Sequence, residues 1–190
     1  MAGVGPMVTR FEDALEQGRL DLARDQDRIA DAIKMLNGSL RSQLMARRRL
    51  VEAGEYAVPA LLEELITTKS PDMELRVTEV LEEIKRQAVL PLVAALPDLS
   101  PVVQAKVCRI LSNIGWPTAI PFLLELGTSS KATPDVKDAA MTAFRRLGGT
   151  STDVSAAFTA LGTKFFEEEQ SLVAYPSDPM NMVWSYGPHS

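Results

Sequence analysis

The sequence has very few of the residues on which common catalytic and metal sites depend. Its 190 residues include one cysteine, Cys108, and one histidine, His189. A single cysteine excludes an intramolecular disulfide and every multi-cysteine zinc pattern, and one histidine close to the end offers no basis for a histidine metal site or a catalytic triad. The phosphate-binding patterns G-x-x-x-x-G-K-[ST] and G-x-G-x-x-G are also absent. We therefore predict no catalytic, metal-binding or cofactor-binding residue.

Aromatic residues, positive charge and long apolar runs are scarce as well. Aromatic residues make up 6% of the chain, and the formal net charge is −5 with a pI near 5.0. Because a negatively charged protein repels the phosphate backbone, nucleic acid is not expected as the main partner. No apolar run approaches the roughly 20 residues of a membrane-spanning helix, and the first residues lack the regions of a secretory signal. The sequence predicts a soluble protein, cytoplasmic by default.

What the sequence does contain is a helical composition with an internal period. Hydrophobic residues make up 46%, and Ala, Leu, Glu and Arg dominate the middle of the chain, which favours an all-α fold. Four residue pairs, which we call the junctions, recur at separations of 31, 30 and 33 residues: Ala53-Gly54, Ile84-Lys85, Ile114-Gly115 and Leu147-Gly148. Apolar residues stand three and seven positions before each junction: Leu50, Leu81, Leu111 and Phe144, and Ala46, Val77, Val107 and Ala140. These offsets predict an amphipathic helix in each block.

A second helix is predicted after each junction. Pro59, Pro91 and Pro121 lie 32 and 30 residues apart, and proline is well tolerated in the first turn of a helix. We interpret all three as helix starts. Polar turns at 67–71, 97–101 and 127–130 then close each helical hairpin.

Residues 40–162 resemble the HEAT repeat, in particular its short bacterial form related to the lyase-type repeats. The resemblance rests on the helix openings AVPALLEEL, AVLPLVAAL and AIPFLLEL and on the turns before ELRV and VVQAKV. It implies an α-α superhelix of about four hairpins, with repeats near 39–69, 70–99, 100–130 and 131–163. The sequence departs from the family pattern at Lys85, where glycine is more usual, and at Ala156, where the helix proline is missing.

Both ends differ from the repeats. Residues 1–38 are predicted to form one or two capping helices with a shared apolar stripe, ending at Asn37-Gly38. The stripe consists of Leu15, Leu22, Ile29, Ile33 and Leu36. Residues 164–190 end a helix and continue into an irregular apolar and aromatic group: Met180, Met182, Val183, Trp184 and Tyr186. Two alternatives stay open for this group: it leads into a further module of a larger protein, or it folds back on the last repeat.

The resemblance implies a non-catalytic scaffold that binds another protein, or an adjacent module of the same chain, through the concave face of its second helices. In the register set by Leu65, Leu96, Leu126 and Leu161, the two positions before each leucine are predicted to point to that face. They are Glu63, Glu64, Ala94, Ala95, Leu124, Glu125, Thr159 and Ala160. The glutamates favour a basic or amphipathic partner segment.

Two other functions are implied by the same resemblance. A bilin lyase-type enzyme or chaperone needs groups that hold propionates, and only Arg47 to Arg49 suggest one. A DNA-binding protein of the repair glycosylase type needs a basic concave face, whereas the predicted face is acidic to neutral. Cys108 is interpreted as a packing residue, and Trp116 as a wedge in a turn between helices or an exposed aromatic anchor. The acidic pairs are interpreted as solvated helix faces.

Overall fold

The computed structural model describes residues 14, 15, 17–167, 184, 185 and 187. Throughout this described part the regular structure is helical, with no strand. Residues 17–24 are helical, and the numbered helices are α1 (Gln26–Met35), α2 (Leu40–Ala53), α3 (Val58–Thr67), α4 (Pro71–Ile84), α5 (Arg86–Ala95), α6 (Pro101–Ile114), α7 (Ile120–Thr128), α8 (Pro134–Arg146) and α9 (Val154–Phe166). The predicted all-α fold is confirmed.

The helices form two layers. The A-layer helices are α2, α4, α6 and α8, and each packs on the next along the chain. The B-layer helices are α3, α5, α7 and α9, of which α3 packs on α5 and α7 on α9. Each of the first three B-layer helices also packs on the A-layer helix that follows it, and α1 packs on α2 and α3 at the start of the stack. This is the predicted solenoid of about four hairpins with a capping helix.

The core consists of the apolar positions that recur in the sequence. Leu50, Leu81 and Leu111 are completely buried, and Phe144 is 4% exposed. The positions four residues earlier are completely buried in all four repeats: Ala46, Val77, Val107 and Ala140. Because the helix has 3.6 residues per turn, these positions share one face of each A-layer helix and meet the neighbouring helices. The predicted phase of the repeats is confirmed.

The four junctions share a positive φ angle. The φ angle is 57° at Gly54, 62° at Lys85, 76° at Gly115 and 84° at Gly148. Lys85 is the one residue other than glycine with a positive φ in the described ranges. The second repeat therefore departs from its neighbours in residue type but keeps the backbone conformation of the first, since ψ is −135° at Lys85 and −129° at Gly54.

Three of the four A-layer helices, α4, α6 and α8, begin with a proline that follows a serine or threonine. The Ser70 hydroxyl accepts a hydrogen bond from the N–H of Met73 (3.3 Å), and Thr133 caps α8 in the same way. Pro71, Pro101 and Pro134 are each the first residue of a helix. Because the first N–H groups of a helix have no partner within it, a capping oxygen and a proline both suit this position.

The prolines of the B layer behave in two ways. Pro59 and Pro121 lie at the second residue of α3 and α7, in the first turn as predicted. The prediction that Pro91 also begins a helix is wrong, because α5 begins at Arg86 and Pro91 is its sixth residue. In the neighbouring repeats the corresponding residues form separate 3-10 turns, Gly54–Ala57 and Pro117–Ala119. In the second repeat this turn continues directly into the helix.

Polar contacts connect successive A-layer helices. Arg47 of α2 pairs with Glu79 of α4 at 3.1 Å. The Asn113 amide of α6 donates to the Glu82 carboxylate of α4 (2.7 Å) and accepts from the Arg146 guanidinium of α8 (3.0 Å). These exposed contacts add little stability each, but they recur at about the repeat spacing and favour one register of the stack.

The N-terminal stripe is only partly present. Three of its five residues are buried: Ile29, Ile33 and Leu36. Leu15 and Leu22 are 59% and 53% exposed, so the prediction that they share this stripe is wrong. The helical conformation is interrupted at Asp25, whose side chain caps α1, and the residues before it therefore follow a different helical phase.

Candidate protein-binding face

A groove of about 450 Å³ lies between α3 and α5, which we call the α3/α5 groove. Val58, Leu62 and Ile66 line it from α3, and Pro91 and Ala94 line it from α5. These side chains make the groove largely apolar, and Ile66 is 43% exposed. Glu63 adds an exposed carboxylate to its lining. The groove can therefore accept an apolar side chain beside a positively charged one.

The predicted partner-binding residues fall into two groups. Glu63, Glu125, Thr159 and Ala160 are exposed, and Glu64 and Ala94 are half-buried. Leu124 is 1% exposed, so the prediction that it points away from the core is wrong, whereas Ala95 is 2% exposed and still lines the α3/α5 groove. Each lies on a helix with neighbours on several sides, which covers more of its circumference than a single apolar stripe would indicate. Leu124 belongs to the core and offers no contact to a partner.

The sequence interpretation missed several residues of the groove. They are Val58, Pro59, Leu62, Ile66, Thr67 and Pro91, together with Trp184, Ser185 and Gly187. A local signal existed for part of this set, because residues 3, 4 and 7 positions after Pro59 share its helical face. The same offsets of 3 and 4 from Pro91 give Ala94 and Ala95. The repeated proline therefore indicates the groove side of α3 and α5.

Trp184 contacts the first repeat at one end of this groove. Its indole N–H donates a hydrogen bond to the Glu55 carboxylate, with 3.0 Å between Nε1 and Oε2. Its ring lies 6.5 Å from the Tyr56 ring, tilted by 60°. Of the C-terminal apolar group, Met180, Met182, Val183 and Tyr186 lie outside the described residues. Trp184 itself packs on the repeats, on the first of them and not on the last.

The 3-10 turn Gly54–Ala57 supplies both contacts of Trp184. All four residues of this turn are buried, and Glu55 is only 6% exposed. The Arg24 guanidinium lies 5.2 Å from the centre of the Tyr56 ring, a distance suited to a cation–π interaction. Tyr56 thus joins the helical stretch at residues 17–24 to the C-terminal tryptophan.

The arginine cluster at Arg47 to Arg49 is surrounded by its own partners. Arg47 forms salt bridges with Glu83 and Glu79, and its pKa is raised chiefly by the hydrogen bond to Glu83. Arg48 pairs with Glu52 at 2.8 Å, and this hydrogen bond raises the pKa of Arg48. Arg49 donates to the sulfur of Met35. Nearby carboxylates therefore offset much of the positive charge of this cluster.

The remaining candidate residues have structural surroundings. Cys108 is completely buried, and burial raises the pKa of its thiol to about 12, so the thiol stays protonated and packs as a small apolar group. Trp116 is half-buried, with the Arg86 guanidinium 5.9 Å from its ring centre. Within the described ranges no three His, Cys, Asp or Glu side chains lie close enough together to hold a metal ion. Over the same residues, every helix is too short or too polar to cross a membrane.

These features define a class of protein, the α-solenoid of stacked helical hairpins. A family model described as HEAT repeats matches residues 58–150, from the first residue of α3 to just beyond α8. Residues 58–150 of the chain are therefore HEAT repeats. Proteins of this kind are generally non-enzymatic scaffolds for protein interaction. No curated protein and no solved structure matches the chain.

Proposed function

We propose that this chain is a non-catalytic scaffold that binds a protein segment along its B-layer helices, at the α3/α5 groove and the carboxylates of α3 and α7. The observation that carries the proposal is the groove itself, a surface cleft with a largely apolar lining in which Ile66 and Glu63 are exposed. An amphipathic segment has the matching properties, with apolar side chains for the groove and basic ones for the carboxylate.

The distribution of charge supports a basic partner. On the A layer, the carboxylates of Glu74, Glu79 and Glu83 pair with lysine or arginine of a neighbouring helix. Helices α3 and α7 contain no lysine or arginine at all, yet they carry Glu63, Glu64 and Glu125. These carboxylates favour a positively charged segment and repel an acidic one.

The two alternatives gain no comparable support. DNA binding and retention of propionates both depend on Arg47 to Arg49, which lie on the A layer and are largely paired with glutamates. A larger groove of about 760 Å³ lies between α6 and α8, but its lining mixes Lys106 and Arg109 with Asp135 and Asp138. Neither the arginine cluster nor the groove between α6 and α8 presents charges of one sign only, so neither favours a partner of the opposite charge.

The proposal is tested by reversing the carboxylates of the B layer. A variant with Glu63→Lys, Glu64→Lys and Glu125→Lys is compared with the wild-type chain in affinity capture from a lysate, followed by mass spectrometry and cross-linking. A variant with Arg47→Glu, Arg48→Glu and Arg49→Glu is the matched control, and circular dichroism checks both variants for helicity. We expect partners to be lost with the lysine variant only and to cross-link to α3 and α5. Partners that are lost with the arginine variant and kept by the lysine variant would contradict the proposal.

A further inference from the structure

Trp184 lines the α3/α5 groove and also contacts the buried carboxylate of Glu55, in the turn that precedes α3. Glu55 is 6% exposed, and a buried carboxylate requires hydrogen-bond donors because it has left water. The indole N–H of Trp184 supplies one at 3.0 Å, while its ring packs beside Tyr56. The polar edge and the apolar body of the indole thus each have a complementary surface.

We infer that the α3/α5 groove, together with Glu55 and Tyr56, is a recognition site for a peptide segment anchored by tryptophan, and that the chain's own Trp184, with Ser185 and Gly187, occupies it in cis. The inference deepens the proposed function, on which it rests, by naming the anchor residue of the partner and the segment that competes with it. The partner is a peptide segment that carries an exposed tryptophan next to small residues.

The contacts select tryptophan over other apolar residues. Phenylalanine can fill apolar space beside Tyr56, but it has no N–H for the Glu55 carboxylate. Ser185 and Gly187 also line the groove, and residues of this size let the backbone of a bound segment approach α3 and α5 closely. Glu55 therefore determines specificity, and Val58, Leu62 and Ile66 supply a tolerant apolar surface.

Because Trp184 belongs to the same chain as the site, it competes with any free partner for that site. A segment tethered to its own binding site acts at an effective concentration of about a millimolar, so even a weak intramolecular contact excludes much of a free competitor. A partner then binds well only if its own affinity exceeds this competition. Removal of the Trp184 side chain should open the site and leave the walls that α3 and α5 contribute unchanged.

The test uses a fluorescently labelled peptide of residues 180–190 as the probe and the full chain as the receptor. Fluorescence anisotropy compares the wild-type chain with Trp184→Ala, whose helicity is checked by circular dichroism. We expect the peptide to bind Trp184→Ala at least about tenfold more tightly than the wild type, because the site is then free of its tethered competitor. A peptide with Trp184→Phe should bind about tenfold more weakly than the parent peptide, and one with Trp184→Ala should not bind. Changes in the peptide cannot disturb the fold of the receptor.

Three results would overturn the inference. They are a parent peptide that binds neither chain, equal affinity for the wild type and Trp184→Ala, and equal affinity of the parent and Phe peptides. Light scattering provides a fourth check, because it measures the oligomeric state. A wild-type dimer that becomes a monomer in the Trp184→Ala variant would place Trp184 in the groove of a second copy, which would contradict occupation in cis. If the peptide does not bind but the reversal of Glu63, Glu64 and Glu125 still removes captured partners, the inference is wrong and the proposed function is still supported. If the peptide binds but the reversal of Glu63, Glu64 and Glu125 leaves the captured partners unchanged, the groove binds only the chain's own segment and the proposed function is wrong.

Discussion

At the scale of single residues, Lys85 is in the least favourable backbone position of the described chain. Its φ and ψ angles are 62° and −135°, close to the 57° and −129° of Gly54 at the equivalent junction. Glycine adopts such angles readily, whereas a side chain there costs about 1–3 kcal/mol and is held only by the surrounding packing. That packing is present, since Ile84 and Ala88 on either side of the junction are 5% and 0% exposed.

Replacement of Lys85 by glycine should therefore stabilise the protein. We expect Lys85→Gly to raise the free energy of unfolding by about 1 kcal/mol, because relief of backbone strain exceeds the added entropy of glycine in the unfolded state. Lys85→Ala is the matched control, since it removes the charge but keeps the Cβ atom. Urea denaturation followed by circular dichroism measures both. Equal stabilisation by Lys85→Ala would assign the effect to charge and not to the backbone.

At the scale of helices, each A-layer helix has one face in the core and another in solvent. In α6, Leu111 is completely buried, while Val102 on the same helix is 67% exposed. The two residues are both aliphatic, so their difference in environment isolates the contribution of packing. The neighbours α4 and α8 and the B-layer helix α5 all contact α6, which leaves little freedom to fill a cavity.

This contrast gives a prediction for two alanine substitutions in α6. Leu111→Ala should lower the free energy of unfolding by about 2–5 kcal/mol, through the lost transfer energy and the cavity left behind. Val102→Ala should change it by less than about 0.5 kcal/mol, because an exposed side chain loses few contacts. Chemical denaturation of the two variants and the wild type measures both values. A similar, small effect of both substitutions would contradict the central position of Leu111 in the core.

The sequence predicts the elements better than the surface between them. Leu81 and Leu111 were identifiable because offsets of 3 and 7 residues depend only on the geometry of one helix. The burial of Leu124 depends on how α7 meets its neighbours, and the exposure of Leu22 depends on a break in the helix at Asp25. Such properties arise from packing between elements. A period in the sequence carries no information about them.

At the scale of the whole molecule, the contact that defines the candidate site connects distant parts of the chain. Trp184 and Glu55 are 129 residues apart in sequence, and no motif at either position predicts that they meet. Glu63 of the predicted acidic ridge lines the groove, whereas Trp184, which also lines it, lies outside the repeats. The fold could be predicted from its period, whereas this part of the site could be found only in three dimensions.

Burial is also uneven along the stack. Helices α4 and α6 lie between A-layer neighbours on both sides and carry several completely buried residues. Helix α9 at the other extreme has no buried residue, and Phe166 near its end is 88% exposed. Its clearest contact with the stack is the edge-to-face pair of Phe158 with Phe122 of α7, at 4.9 Å between ring centres. Because each repeat of a solenoid is stabilised mainly by its neighbours, the last hairpin should open more readily than the middle ones.

Hydrogen–deuterium exchange measured by mass spectrometry should show this gradient directly. We expect the slowest amide exchange in α4 and α6 and the fastest among the numbered helices in α9, because local opening exposes little apolar surface where few residues are buried. Trp184→Ala provides an internal comparison: it should speed exchange in the turn Gly54–Ala57 and in α3, which Trp184 contacts, and leave α9 unchanged. Equal protection in α4, α6 and α9 would contradict the gradient, since it would mean that the four hairpins open as one cooperative unit. Faster exchange in α9 alone after Trp184→Ala would place the tryptophan on the last repeat and contradict its contact with the first.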